Sequence, residues 1–259
     1  MEKIISGCPA LEDLTLIRSM DNWYLEVPQL LSVRSRSLKS FIIIFDVAYG
    51  RAGTDYSVEI DAPRLEYLSL SDNQSDVIVV KNLTSLFMIH IDTEFNVKFG
   101  GIQLSPAKRD AIRDFLTGVS GVFYRYPYLW PFPNFGNLYR LEVAFCSFTL
   151  QFLPVFLESC PRLKELILDF AFSVPDKRTK LRYVPQCLIS TLECVEINNV
   201  IMWEETGIEL MNYFLEKSAV LKKLSVSFTG SSITNQERHT YMDLVASTRR
   251  SGECQVFAY

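Results

Sequence analysis

The side chains with the widest chemical range in this sequence are two histidines, His90 and His239, and six cysteines, Cys8, Cys146, Cys160, Cys187, Cys194 and Cys254. Thiols and imidazoles can ligate zinc, and a thiolate beside a histidine can attack a carbonyl. Either chemistry needs its groups at short, fixed spacing. No CxxC pair occurs, neither histidine stands in sequence beside a plausible catalytic partner, and Gly100-Gly101 is followed by neither GK[ST] nor a GxGxxG frame. Asp72, Gln74 and Asp76 alternate as calcium ligands do, but the glycine and the twelfth-position glutamate of an EF-hand loop are missing. The expectation is no enzyme active site, no metal and no cofactor, with reduced and mostly buried thiols.

Charge narrows the class of partner. The 259 residues carry 26 Lys and Arg against 30 Asp and Glu, and the basic residues never gather beyond short groups such as Lys177, Arg178 and Lys180. Phosphate binding needs a concentrated positive surface, so nucleic acid is a poor partner. The longest apolar run, Phe41 to Phe45, is too short to cross a bilayer, and Met1 to Ala10 has no apolar stretch behind a basic segment. These features predict a chain of the cytoplasm or nucleus with no membrane partner.

What remains is packing, and it is periodic. An LxxLxL template recurs as Leu11-Leu14-Leu16, Leu38-Phe41-Ile43, Leu65-Leu68-Leu70, Leu83-Leu86-Met88, Leu138-Leu141-Val143, Leu163-Leu166-Leu168, Leu192-Val195-Ile197 and Leu221-Leu224-Val226. Its first positions step by 27, 27, 18, 55, 25, 29 and 29 residues. Most steps fit one leucine-rich unit, and the longest fits two with a degenerate one around 118–137. A single unit cannot cover the apolar face of its short strand, whereas parallel stacking buries each face against the next. The expected fold class is therefore α/β, a leucine-rich-repeat solenoid with a parallel sheet on the concave side and helices and loops on the convex side.

The returning segments carry helix signals. Ser105-Pro106 opens one to about Leu116, Gln151 to Glu158 makes a short one, and Thr206-Gly-Ile-Glu209 reads as a capping box before a helix ending near Lys217. Thr234-Asn-Gln-Glu237 reads as a second box, before a helix ending near Arg250. Asn73 and Cys146 stand three places after a last template residue, where a side chain can bond turn backbone.

The segments SGCPALEDLTL (6–16), DAPRLEYLSLSDN (61–73), FGNLYRLEV (135–143) and LESCPRLKELIL (157–168) resemble the repeats of the plant F-box proteins that combine leucine-rich repeats with an FBD domain. VPQCLISTLECVEINNV (184–200) and ELMNYFLEKSAVLKKLSVSF (209–228) resemble the FBD signature, and ECQVFAY (253–259) is similar to that domain's last strand. The resemblance implies repeats over 1–170 and an FBD domain over 171–259 that continues and caps the solenoid. It also implies the substrate-recognition part of an SCF-type ubiquitin ligase. The F-box that would dock a Skp-type adaptor is expected to be absent, since neither its LPxxLL element nor its tryptophan-containing helix is found. A truncated decoy or relic, and a small-ligand receptor in the arc, stay open as alternatives.

If an unknown protein substrate is held on the concave face, strand alternation nominates Asp13, Thr15, Tyr67, Ser69, Ser85, Phe87, Arg140, Glu142, Glu165, Asp169, Glu196 and Asn198. The later repeats lean acidic, which suits a partner with a basic patch. Tyr126, Tyr128 and Trp130 lie in an aromatic, proline-interrupted stretch that either anchors a partner or fills the gap left by a shortened unit.

Overall fold

Alternation inside the repeated segment sets the strands: one set of side chains seals an apolar layer, and the set between them is turned away from it. The computed structural model describes residues 5, 8–19, 30–46, 57–72, 77–81, 83–92, 135–145, 150, 153–170, 181–201, 205–229, 234–235, 238–239, 243 and 249–259. The chain gathers into two compact units, Met1–Asn137 and Leu138–Tyr259.

In the first unit β1 (Asp13–Ser19), β3 (Ser40–Asp46), β5 (Tyr67–Asp72) and β7 (Met88–Asp92) lie side by side, every pair parallel. Register puts Leu14, Phe41, Leu68 and Ile89 on one rung and Leu16, Ile43, Leu70 and Ile91 on the next but one. Phe41, Ile43, Leu68 and Leu70 are sealed from solvent, while Leu14 and Leu16, on the outermost of these strands, are half-buried. This register corrects the fourth repeat. Its frame is Leu86-Ile89-Ile91 and not Leu83-Leu86-Met88, because Leu83 belongs to a 3-10 turn, Leu83–Ser85, and Met88 is only half-buried.

A second correction concerns the returning segments of this unit, which form strands where helices and loops were expected. β2 (Leu30–Arg34), β4 (Ser57–Asp61) and β6 (Val77–Lys81) make their own parallel sheet. Val33, Val58, Ile60 and Val80 are its buried apolar side chains. β-branched residues on alternate positions favour this extended form over a helix.

In the second unit β8 (Arg140–Phe145), β9 (Glu165–Phe170), β10 (Cys194–Val200), β11 (Lys223–Phe228) and β12 (Gln255–Ala258) pair in chain order, again all parallel. Here the connections are helical: α1 (Leu153–Glu158), α2 (Gln186–Ser190) and α3 (Glu205–Lys217). α1 packs on α2, and α2 on α3. α3 opens at Glu205, so Thr206 lies inside its first turn and is not the cap that the box pattern predicted. Leu210, Met211, Phe214 and Leu215 form its buried stripe, at the spacing of one helix face. The helix expected over 105–116, the degenerate stretch 118–137 up to residue 134, and Asn73 and Cys146 lie outside the described residues, as does most of the stretch from Thr234 to Arg250 where a helix is expected.

Hydroxyl and amide side chains tie several turns to the one before. Ser37 Oγ donates to Leu11 O at 2.8 Å, Ser85 Oγ to Pro63 O at 2.9 Å, Asn137 Nδ2 to Thr84 O at 2.8 Å and Thr191 Oγ1 to Pro161 O at 3.1 Å. Each of these donors stands just before the first apolar residue of its repeat and satisfies a backbone carbonyl of the preceding turn. Ser251 Oγ makes the buried version, donating to Leu221 O at 2.6 Å. Ser251→Ala leaves that carbonyl without its donor and is expected to cost about 1–3 kcal/mol in urea unfolding. Ser190→Ala removes an exposed hydroxyl that donates to Gln186 O and is expected to change stability by less than about 0.5 kcal/mol.

Candidate functional site

With the leucines sealed behind them, the remaining strand residues form an open face on each unit. In the first unit the rows are Asp13, Ser40, Tyr67 and Met88, then Thr15, Ile42, Ser69 and His90, then Ile17, Ile44, Ser71 and Asp92. The face is mixed: Ile17 is 65% exposed, whereas Ser71 Oγ donates to Asp92 Oδ2 at 3.4 Å. Asp13, Thr15, Tyr67 and Ser69 therefore lie where alternation placed them, Ser69 being buried among its larger neighbours. Ser85 and Phe87 do not join these rows, because the corrected frame puts both before β7; Ser85 is spent on the turn bond to Pro63 and Phe87 is exposed beside it. Met88 and His90 take their places, and reading the repeat one template step later would have found them.

In the second unit the first row is Arg140, Glu165, Cys194, Lys223 and Gln255, and the second is Glu142, Ile167, Glu196, Ser225 and Phe257. The third is Ala144, Asp169 and Asn198. All six residues nominated here, Arg140, Glu142, Glu165, Asp169, Glu196 and Asn198, share this face. Arg140 Nη1 sits 3.0 Å from Glu165 Oε2, a cross-strand ion pair on adjacent strands. Lys223 Nζ lies 5.5 Å from the centre of the Phe257 ring. Ile167, Ser225 and Phe257, absent from the nominated set, complete the second row.

Asn198 works for the fold. Ser227 Oγ donates to Asn198 Oδ1 at 3.1 Å, and Asn199 N donates back to Ser227 Oγ at 3.3 Å. Asn199 itself adopts φ 60 where the register of β10 shifts. Asparagine is among the few side chains that tolerate this left-handed conformation, so the Asn-Asn pair bends the end of the strand.

Along the rim below these rows, charged residues one place after the first apolar residue alternate between repeats. Lys39 Nζ is 2.9 Å from Glu12 Oε1, and Lys222 Nζ 2.9 Å from Glu193 Oε2, with Lys164 Nζ at 3.8 Å from Glu193 Oε1. The hydrogen bonds from Lys39 and Lys222 hold the Glu12 and Glu193 carboxyls below the usual carboxylate range. Such exposed pairs contribute little stability and serve as register marks.

Four of the thiols hold their protons more tightly than a free cysteine does. Burial pushes Cys160, Cys187, Cys194 and Cys254 upward, and for Cys160 the neighbouring Cys187 adds to the effect. A nucleophilic cysteine needs the opposite shift. Among the described residues no group of three or more His, Cys, Asp or Glu side chains could hold a metal ion, and no helix is long and apolar enough to cross a membrane. Tyr126, Tyr128 and Trp130 lie outside the described residues.

The FBD family matches residues 180–226, the stretch that runs through α2, β10 and α3 into β11. An F-box/FBD/LRR-repeat protein of Arabidopsis thaliana is 55% identical over 99% of this chain and 61% of its own length. A putative F-box/FBD/LRR-repeat protein of the same plant is 51% identical over 98% of the chain and 60% of itself. An FBD-associated F-box protein of Arabidopsis thaliana is 43% identical over 99% and 60%. The chain thus spans about 60% of the length of the curated relatives it matches. No solved structure matches it. The later strands thus carry an FBD, and from the first repeat to the last strand the chain is similar to plant F-box/FBD/LRR-repeat proteins.

Proposed function

We propose that the chain is a non-catalytic protein-interaction scaffold, the substrate-holding part of an F-box type protein, folded as a leucine-rich-repeat solenoid whose open strand faces line the inner curve. One observation carries this reading. In each unit, in-register rows of polar, charged and aromatic side chains are backed by leucines sealed from solvent, so the rows are fixed in position without taking part in the core. The parallel pairing of each strand with the next from β9 through β12 supports an FBD that continues the repeats. The elevated thiols favour recognition over chemistry, and the matched relatives are named for interaction modules. On this reading the chain contributes substrate holding to a ubiquitin ligase, in the cytoplasm or nucleus where its thiols stay reduced.

Affinity purification from plant cells with quantitative mass spectrometry tests the reading. A set of proteins captured by the parent chain is expected to fall by about tenfold with the paired change Glu142→Lys and Asp169→Lys on the strand face, in line with removal of charge-assisted contacts. Glu216→Lys, on the exposed side of α3, is expected to leave the same set intact. Equal retention by both variants would place recognition elsewhere.

A further inference from the structure

We infer that the open strand face of the Met1–Asn137 unit is a docking site for an amphipathic helix of a protein partner, a helix with an apolar stripe and lysine or arginine on both of its flanks. The inference rests on the scaffold reading above and adds the form and charge of what is held.

β3 gives the first reason. Its sequence over 40–46, SFIIIFD, is apolar toward both sides of the sheet. Phe41, Ile43 and Phe45 are buried in the core, so alternation turns Ile42 and Ile44 onto the open face, where both are half-buried. A strand with one wet face alternates apolar and polar residues, whereas an unbroken apolar run marks a strand covered on both sides. Ile17, beside Ile44 in register on β1, is nevertheless 65% exposed. The pattern is that of a covered face, and Ile17 leaves one end of it open.

The apolar residues of this face lie in a line. Ile17 and Ile44 stand in the third row, Ile42 in the second, and Tyr67 and Met88 in the first, on β5 and β7. They make a diagonal stripe from one corner of the four-strand face to the opposite one. With strands about 4.8 Å apart and a rise of about 3.3 Å per residue, the stripe is about 20 Å long. A helix rises about 1.5 Å per residue, so roughly thirteen residues cover it. The other two corners are Asp13 and Asp92, both exposed. None of the row positions holds a lysine or arginine, so negative charge flanks the stripe on both sides and the face repels phosphate.

The two acidic corners decide between a helix and an extended segment. On the same spacings each carboxylate lies about 10 Å to the side of the stripe. An extended chain is only about 5 Å wide and turns every second side chain away from the face. A helix with its side chains is about 10–12 Å across, so it covers about half the distance to each corner, and a lysine or arginine stem spans the rest. Among the described residues neither Asp13 nor Asp92 has a cationic partner; Asp92 accepts a hydrogen bond from Ser71 Oγ at 3.4 Å. A basic flank on each side of an apolar stripe answers this charge pattern.

The test is selection from a display library of fifteen-residue helical peptides on the full chain, followed by titration of the selected peptides by fluorescence anisotropy. Selected families are expected to carry apolar residues three and four apart on one face, with lysine or arginine on both flanks. Ile17→Asn, at an exposed position, is expected to weaken their binding about tenfold, and the paired change Asp13→Lys and Asp92→Lys by at least as much. Changing the basic flank residues of a selected peptide to glutamate should restore its binding to the paired lysine variant, a rescue that loss of structure would not allow. Peptides without basic flanks, peptides that ignore the charge reversal, or failure to select any peptide overturn the site. Each of these leaves the scaffold reading standing, since that reading is judged by the proteins captured from plant cells. A dimer in sedimentation equilibrium that Ile17→Asn breaks gives the face to a second copy and overturns the proposal. A fall in urea midpoint for Ile17→Asn as large as that for Phe41→Ala means that another segment of the same chain covers the face, and overturns it too.

Discussion

Phe214→Ala is expected to shift urea unfolding of the Leu138–Tyr259 unit by about 3–5 kcal/mol, the range for deleting a sealed phenylalanine. The ring is fully buried on α3, in the stripe made with Leu210, Met211 and Leu215. Tyr213 meets it edge to face with ring centres 5.3 Å apart, and Tyr213 is itself fixed by donating to Tyr183 O at 2.8 Å. Tyr213 cannot swing into the space left behind without breaking its bond to Tyr183 O, so it does not relieve the cost of the cavity. Domains hold only about 5–15 kcal/mol in all, so this one change removes a large share. Phe257→Ala gives the contrast: its ring is 37% exposed and lies under the ammonium of a surface lysine, Lys223. It is expected to cost about 1 kcal/mol or less. Far-UV circular dichroism across a urea series reads both midpoints, and similar shifts for the two variants would mean that α3 does not seal the core as its burial indicates.

The ease of reading the leucines and the difficulty of reading the open face have the same origin. Leu163, Leu166 and Leu168 repeat as Leu192, Val195 and Ile197 and again as Leu221, Leu224 and Val226, and all nine are buried. Burial on one side of a strand writes itself into sequence as a period, so these were legible residue by residue. The period fails where it is degenerate. Leu83, Leu86 and Ile89 are equally spaced and apolar, so the template fits in two frames, and only the register of β7 with β5 chooses between them. That single ambiguity moved Ser85 and Phe87 off the face and put Met88 and His90 on it. The sheet of β2, β4 and β6 was hidden for another reason: each strand is five residues long and buries one or two branched side chains, too short a run to outweigh the helical reading of a return segment. Ser225 could not be read at all. It lies between Glu196 and Phe257, 29 and 32 residues away in sequence, and no local pattern records which residues a strand will have beside it.

Raising the pH from 8 to 11.5 is expected to destabilise the Leu138–Tyr259 unit steeply, with Cys187 supplying much of the effect. Burial pushes this thiol up to about 12 from an ordinary value of 9.0, and the nearby Glu158 carboxylate raises it further in the same sense. Burial raises Cys160 and Tyr213 as well. For an acid whose affinity for its proton is greater in the folded chain, the unfolded chain releases the proton first. Above pH 9 it therefore binds fewer protons than the native form, and stability falls as pH rises. The Cys187 contribution is whole below pH 9 and gone by about pH 12, a loss on the order of 4 kcal/mol at about 1.4 kcal/mol for each pH unit. Cys187→Ala is expected to flatten the slope of unfolding free energy between pH 9 and 11 by about one proton, though it lowers stability at pH 7 through the small void it leaves. Iodoacetamide mapping reads the same chemistry without unfolding. At pH 8.5 the exposed Cys8 should label within minutes, while Cys187, whose thiol donates to Leu157 O at 3.4 Å in the core, should label only in urea. If Cys187 labelled in the native chain at the pace of Cys8, α2 would be opening to solvent, and the slope between pH 9 and 11 would carry no Cys187 component for the alanine variant to remove.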